Sequence, residues 1–588
     1  MATEQQDRGG AQVHWLVVGQ FGIGPRGTTL ALTRADFGEV LEKRGLKVRA
    51  SVPDTIGPKG GTLEVELSVS SLKDLTLKNI VAGVPALRDL AGKADALGKL
   101  KAPTKDDLRG VVGDGQLLDE LAAIIDPGTA APASTSAPSG GDVDAIMAQA
   151  EVQKPTVKSA ISAFVKASGT SSKPKDKPSA RQLRDLTEQK VWSLAADVLN
   201  SPEVAAVERA WRGLRFFAQQ CPKDAMMEIR ILESDDANAV ATVRDRARGE
   251  SVDEPDCIFV PSDLTDAGAL SELASLGEEE LIPVVVGVGP ALFGCANAEE
   301  VPDALEGLEK TDEADLPEWA KRWDELRLEE STRWLCCVMN DVALHAEGAG
   351  AAQRIVFGSG VWAVASMIGA SYAATAGFAR IFGKNGALSA PAVHTIRGGR
   401  YADQAAPTEA FYAIAAADTL AKNGVLGVSS ARGTDQLVLL KAPCVRGAKD
   451  AVPLPAQCLT GRVVRFATWM APQLPEGCDS ATANELFESA ATVFLFPGQR
   501  DAARVAAALT NIDGEAHVVV QAKANPAIAS VPFDIAFPLP LHWSVPAQES
   551  AADAKPAEAK PAPAAKPEDG VHFAGGSVGF DVGADKKK

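Results

Sequence analysis

Apolar and polar positions change their spacing repeatedly along this chain, and each change marks an element. Residues 13–18 form an apolar run that stops at Gly19 and predicts a strand. A helix is expected over about 35–43, then a strand near 46–52. In the next stretch Leu63, Val65, Leu67 and Val69 alternate with Glu64, Glu66 and Ser68, so one face is buried and the other wet. Leu87, Leu90, Ala94 and Leu97 return at helical spacing, and a further helix is expected over about 106–125. Beyond residue 178 come long helices over 180–200 and 203–219, broken by Ser201-Pro202. Strands are expected at 228–232, 283–288, 333–339, 437–440 and 517–522, with helices between. This alternation predicts an α/β chain, with mixed sheets of the α+β kind.

Composition places the joints. The run from Pro127 to Gly140 has no large apolar side chain and reads as a linker, and 169–178 reads as a second. Between them, Val143, Ile146 and Met147 line one short amphipathic helix, and Val157, Ile161, Phe164 and Val165 line another after Pro155. Helices this short either dock on their own chain or need a partner surface. The Ala/Pro/Lys/Glu stretch after about residue 546 predicts a disordered tail. The expected division is 1–126, a linker region 127–178, a large unit 179–545 and a tail 546–588. A chain of 588 residues exceeds what one core supports, which agrees with at least two domains.

The search for chemistry returns little. Gly19-Gln-Phe-Gly-Ile-Gly24 follows a strand like a phosphate loop, but Pro25 and Arg26 stand where Lys and Ser/Thr should be, and Pro25 deletes an amide. Gly287-Val-Gly289 lacks the third glycine of a dinucleotide loop and runs into Pro290. Neither 358–360 nor 427–433 has Gly-x-Ser-x-Gly spacing. Cys336 and Cys337 are adjacent, so on a strand they face opposite ways and cannot share a metal. The six histidines occur singly, without Glu or His at ligand spacing. No cofactor or metal is expected. Residues 355–379 carry no charge over a span long enough to cross a bilayer, yet Gly, Ala, Ser and Thr dominate and no Lys/Arg cluster flanks them, so a buried helix behind a Gly-Ser-Gly turn is expected instead.

Charge narrows the partners. With 59 basic against 77 acidic side chains the net charge is −18, which disfavours nucleic acid and anionic membrane surfaces. The first residues lack a signal-peptide pattern, and eight cysteines without a CxxC pair suit a reducing compartment, so a cytoplasmic protein is expected.

One stretch carries a resemblance. Residues 199–216, with Ser201-Pro202-Glu203 and Trp211-Arg212-Gly213-Leu214, resemble the large sheath subunit of bacterial type VI secretion systems, the TssC or VipB family. Trp323-Asp-Glu-Leu-Arg327, Arg333-Trp334-Leu335 and Phe357-Gly-Ser-Gly-Val-Trp362 resemble later parts of that family in the same order, and 144–150 and 157–166 resemble its N-terminal helices. The N-terminal unit is similar to the small sheath subunit, TssB or VipA, through Asp36-Phe37, Val52-Pro53-Asp54, Ser71-Leu72-Lys-Asp74 and Val84-Pro85-Ala-Leu87-Arg88.

The resemblance implies a fusion of two proteins that ordinarily work as a pair, in a structural, non-enzymatic protein that polymerises helically around an inner tube and contracts. It implies contacts with baseplate and cap components, and a hexameric unfolding ATPase reading Ile146, Met147, Val157, Ile161, Phe164 and Val165. It also implies strands exchanged between subunits, assigned here to Val13, Trp15 and Val17, to Val518 and Val520, and to Phe533 and Ile535, with Trp211, Arg212, Gly213 and Leu214 as core signature. The alternatives are the sheath of another phage-tail-like contractile particle and a cytosolic α/β enzyme with a cryptic site.

Overall fold

A computed structural model describes residues 13–100, 103–125, 180–222, 227–247, 254–348, 353–448, 451–499, 501–512 and 514–543. Its centre is a seven-stranded mixed sheet. The strands, in chain order, are β1 (Val13–Gly19), β2 (Thr29–Leu32), β5 (Met227–Glu233), β6 (Cys257–Leu264), β7 (Val284–Val288), β8 (Leu335–Met339) and β11 (Val425–Gly427), with a hairpin of β3 (Leu46–Pro53) and β4 (Thr62–Val69) intervening. Their order across the sheet is β11-β8-β7-β6-β1-β5-β2, and every neighbouring pair is parallel except β2 with β5.

Strands buried on both faces read as unbroken apolar runs, and β7 is Val-Val-Val-Gly-Val. Trp15, Val17, Phe259, Val285 and Cys336 belong to one core, with helices α7 (Pro202–Gln220), α12 (Val361–Thr375) and α14 (Leu454–Met470). Leu16, Val18, Ile258, Val284 and Cys337 belong to the other. That second face carries α8 (Ala239–Ala247), α9 (Ala267–Glu279), α10 (Val301–Leu308), α11 (Glu318–Leu328) and α13 (Ile414–Lys422). The two adjacent cysteines thus sit in different cores, as alternation along a strand requires.

The N-terminal segment does not stand apart. β1 pairs with β5 and β6, and β2 pairs with β5, so residues 13–32 and 227–264 share one sheet. The β3–β4 hairpin buries Val48, Ala50, Val52, Val65, Leu67 and Val69 on one face. Helices α1 (Phe37–Arg44), α2 (Leu77–Gly83) and α3 (Pro85–Leu97) follow the expected order. The single helix expected over 106–125 is two, α4 (Lys105–Val112) and α5 (Gln116–Ile125), separated at Gly113, whose φ of 82° suits glycine. These pack with α6 (Ala180–Leu199) around Leu90, Leu108, Leu121, Leu183 and Val191.

The uncharged stretch resolves as β10 (Arg354–Gly358), which pairs with β9 (Val342–Glu347), followed by α12, buried along nearly its whole length. No helix among the described residues is long and apolar enough to cross a membrane. The strand expected to begin at residue 333 starts at Leu335, after a 3-10 turn over Glu330–Trp334. Near the C-terminal end, β12 (Ala503–Ile512), β13 (Glu515–Ala524) and β14 (Phe533–Pro540) form an antiparallel meander beside α15 (Ser480–Phe494).

Candidate functional site

A cluster of buried charged groups lies where the N-terminal segment meets the rest of the chain. Helix α7 brings them there because its residues 208, 211, 212 and 214 project from turns that are buried on several sides. Trp211 is fully buried, and its Nε1–H donates to the Phe21 carbonyl at 2.7 Å. The rings of Phe21 and Phe37 meet it edge on, at 5.9 and 5.8 Å. Arg212 donates from Nη2 to the Leu75 carbonyl at 2.9 Å and from Nε to Glu208 at 2.7 Å. Gly213 is required by contact, since a Cβ there would fall 2.2 Å from the Trp362 indole on α12. Leu214 is fully buried beside them. Trp211, Arg212 and Gly213 of the Trp-Arg-Gly-Leu signature therefore join α7 either to the N-terminal segment or to α12.

Two groups that sequence reasoning missed complete this seam. Arg354, at the start of β10, reaches Glu208 Oε2 at 2.5 Å and Glu347 at 3.2 Å, and Glu347 accepts the Leu77 backbone N–H at 2.9 Å. Glu208, Glu347, Arg212 and Arg354 thus form a charge-balanced network, with the Glu208 side chain wholly buried. Burying four ions is costly unless each finds partners of opposite charge, and here each does. The Glu208–Arg212 spacing of i,i+4 was a signal available in the sequence; the Arg354 partnership was not, since it spans 146 residues.

Val13, Trp15 and Val17 lie on β1 in the middle of the chain's own sheet, not at a free edge. Both edges of β1 are paired, and Trp15 is packed among Phe217, Phe259 and Phe378. In this arrangement the first strand is an internal strand of the chain's own sheet. A second ion cluster anchors its start. The His14 backbone N–H donates to Asp256, whose carboxylate is held by Arg462 and Arg465, each at 3.0 Å. Burial pushes the Asp256 carboxyl up, but the two guanidiniums outweigh it and hold it below the usual range.

The glycine loop after β1 binds no anion from outside in this arrangement, because its amides already face one. Glu233 accepts the N–H groups of Gly22 at 3.1 Å and Ile23 at 2.8 Å. Burial raises the Glu233 carboxyl, with those amide bonds opposing. Arg26, where a phosphate loop has its Lys or Ser/Thr, pairs with Asp245 at 2.5 Å.

Beyond the carboxyl ends of β1 and β6 lies a cavity of about 710 Å³, lined by Gly19, Gln20, Arg209, Asp236, Asp263 and Asp341 among others. Crevices at this edge are where α/β sheets commonly hold ligands. Asp263 opens on it, and the surrounding protein, then Asp236, push its carboxyl up to about 6, with Arg209 opposing. Burial, then Asp263 and Glu409, raise Asp341. No group of three or more His, Cys, Asp or Glu among the described residues is poised to hold a metal ion.

Val518 and Val520 lie on the middle strand of the C-terminal meander, while Phe533 and Ile535 lie on its edge strand β14. The two edges differ. Along β12, Ala507 and Leu509 turn their N–H groups away from β13, and these are taken by Asn484 and Ser480 of α15, each at 3.0 Å. Along β14, the Leu541 N–H donates to Ala516, so odd positions face β13 and even ones face outward. Pro538 and Pro540 stand at outward positions and have no N–H to offer. Only Asp534 and Ala536 retain outward donors, so this edge is open over half its length. Ile146, Met147, Val157, Ile161, Phe164 and Val165 lie outside the described residues.

The arrangement defines an α/β protein whose buried polar groups hold segments of the chain together. Residues 27–122 match the family model described as type VI secretion system, VipA, VC_A0107 or Hcp2, so this part of the chain is similar to that family. Two solved structures show weaker likeness. One is the baseplate of the anti-feeding prophage, at 12% identity and a TM-score of 0.27, over 51% of this chain and 70% of that one. The other is the helical sheath of the same particle in its contracted state, at 12% identity and a TM-score of 0.29, over 59% of this chain and 81% of that one. Likeness at these scores carries no argument. Comparison with curated proteins finds no match.

Proposed function

We propose that this chain is a structural subunit of a type VI secretion sheath, with residues 13–125 in the role of the small sheath subunit and 180–543 in that of the large one. The observation that carries this reading is the VipA match over residues 27–122 in a segment whose flanking strand is built into the larger unit's sheet. A domain of a sheath pair, fused to its partner and sharing a sheet with it, acts as one protomer. The protein is then not an enzyme; it assembles in the cytoplasm around an inner tube, against a baseplate and a cap. Recycling by a hexameric unfolding ATPase through 144–150 and 157–166 belongs to the same proposal.

Neighbour contacts by strand addition are assigned to the open half of β14, around Asp534 and Ala536, where a partner strand gains backbone hydrogen bonds. Contacts of this kind that do not close into a ring propagate as a helix, the form a tube requires. The test is negative-stain electron microscopy of the purified full chain. Tubes of uniform width are expected; a monodisperse monomer at high protein concentration would overturn the proposal.

A further inference from the structure

The seam holds one titratable side chain that its charge balance does not use. His345 lies on β9 two residues before Glu347, on the same face by the alternation of a strand. Helix α7 packs against both β9 and β10, so four charges of the seam act on it: Glu208 and Arg212 from α7, Glu347 from β9 and Arg354 from β10. Its Nε2 is buried and has no hydrogen-bond partner. The ladder is irregular at this point. His345 pairs with Val356 and Ala343 with Phe357, which leaves Leu344 unmatched as a bulge. Bulges re-aim the side chains beside them and recur next to functional groups.

An imidazole here fits the network only while it is neutral. Glu208 and Glu347 already balance Arg212 and Arg354, with the Glu208 side chain wholly buried. A proton on His345 sets three cations against two carboxylates, and the surplus charge has no partner. Burial and then Arg212 hold the imidazole below its ordinary value of 6.5, with Glu347 and Glu208 opposing and Arg354 adding to the fall.

The consequence falls on the contact with the N-terminal segment. Glu347 accepts the Leu77 N–H, and Arg212 donates to the Leu75 carbonyl. An imidazolium beside Glu347 draws that carboxylate away from Leu77 and repels the guanidinium that holds Leu75. The two bonds therefore weaken together.

We propose that His345 is a proton-operated latch on the seam: neutral, it leaves residues 75–77 fastened to α7 and β9, and protonated, it releases them. This does not depend on the sheath reading. Opening returns the imidazole to water, so the open form binds the proton that the closed form excludes, and opening is favoured as pH falls below about 6.5.

The test is hydrogen–deuterium exchange of the full chain at about pH 7 and about pH 5.5, with each rate corrected for the chemical pH dependence of amide exchange. Protection over 71–84 and 342–358 should fall at the lower pH by up to about eightfold, the ceiling for one proton between those values. His345→Gln should remove most of that fall and keep the protection seen at pH 7. Asp263 and Asp341 also titrate with raised carboxyls, but both proteins carry them and their effect cancels in the comparison. His345→Asn gives a second neutral replacement should the first not fold. No fall in the parent, an equal fall in the neutral variants, or a fall shared equally by the meander over 503–540 would each overturn the proposal.

Discussion

Glu208 is the test of whether the seam depends on balanced charge or only on shape. Its carboxylate is wholly buried and accepts from Arg212 at 2.7 Å and from Arg354 at 2.5 and 3.3 Å. Glu208→Gln preserves volume but leaves two buried guanidiniums facing the single carboxylate of Glu347. Removing one member of a buried ion group costs about 3–5 kcal/mol, because the remaining charge is desolvated without compensation. The amide oxygen still accepts one hydrogen bond, which favours the lower end, about 3 kcal/mol. At roughly 2 °C per kcal/mol for a large domain, the melting temperature should fall by about 6 °C. Arg354→Met alone should destabilise similarly, by stranding Glu208. Combined with Glu208→Gln it restores one cation to one anion, so the double variant should lose less than the sum of the two. Circular dichroism melts of the four proteins measure this. A Glu208→Gln variant melting within about 1 °C of the parent, or strict additivity in the double, would refute the charge-balance argument.

Gly213→Ala should destabilise by about 1–3 kcal/mol, because its methyl group would overlap the Trp362 indole; Trp362→Phe should recover part of the loss, and a melt of each variant checks it. The cavity carboxylates give a pH dependence of definite sign. Asp263 has its carboxyl raised to about 6 and Asp341 is raised as well, so the folded chain binds more protons than the unfolded one between pH ~4 and 6. Their contribution to stability is therefore lost as pH rises through that window. Asp263→Asn should raise the melting temperature at pH 7 and flatten the profile from pH 4 to 6, as melts across that range would show.

Much of the fold was legible because its strongest signals are local. The alternation at 63–69, the runs at 13–18 and 283–288 and the helices before and after Pro202 all emerge with boundaries shifted by a residue or two. Several strands give no such signal, among them β2, β6, β9, β10, β11 and β12. β6 carries Pro261, Ser262 and Asp263 within its span, which break the apolar run, and β12 is rich in alanine, a weak strand signal. The place of β1 is not set by any local signal. An apolar strand near the start of a chain suits a donated edge and a buried centre equally, and only tertiary pairing with 227–233 and 257–259 separates them. The signature Trp211-Arg212-Gly213-Leu214 was found as a pattern, but its purpose depends on Phe21, Leu75, Arg354 and Trp362, which the sequence sets far apart.

That long-range seam bears on what holds the two parts of the chain together. If the linker at 127–140 held the two parts together, cutting it would release them. The geometry argues otherwise, because β1 supplies a central strand to the larger unit's sheet, the Trp211 and Arg212 hydrogen bonds cross the junction, and His14 meets Asp256 at the far end of β1. Exposing this interface would uncover apolar faces on both sides, including Trp15, Phe217 and Phe259. A protease site inserted between residues 133 and 134 should therefore yield two fragments that co-elute in size exclusion and melt together after cleavage. Tethering would still speed the first assembly, since it replaces a bimolecular step with a local one. Refolding from denaturant should accordingly become dependent on protein concentration in the cleaved form and stay independent of it in the intact chain. Fragments that separate under native conditions would refute the argument and make the linker, not the seam, the element that unites the protomer.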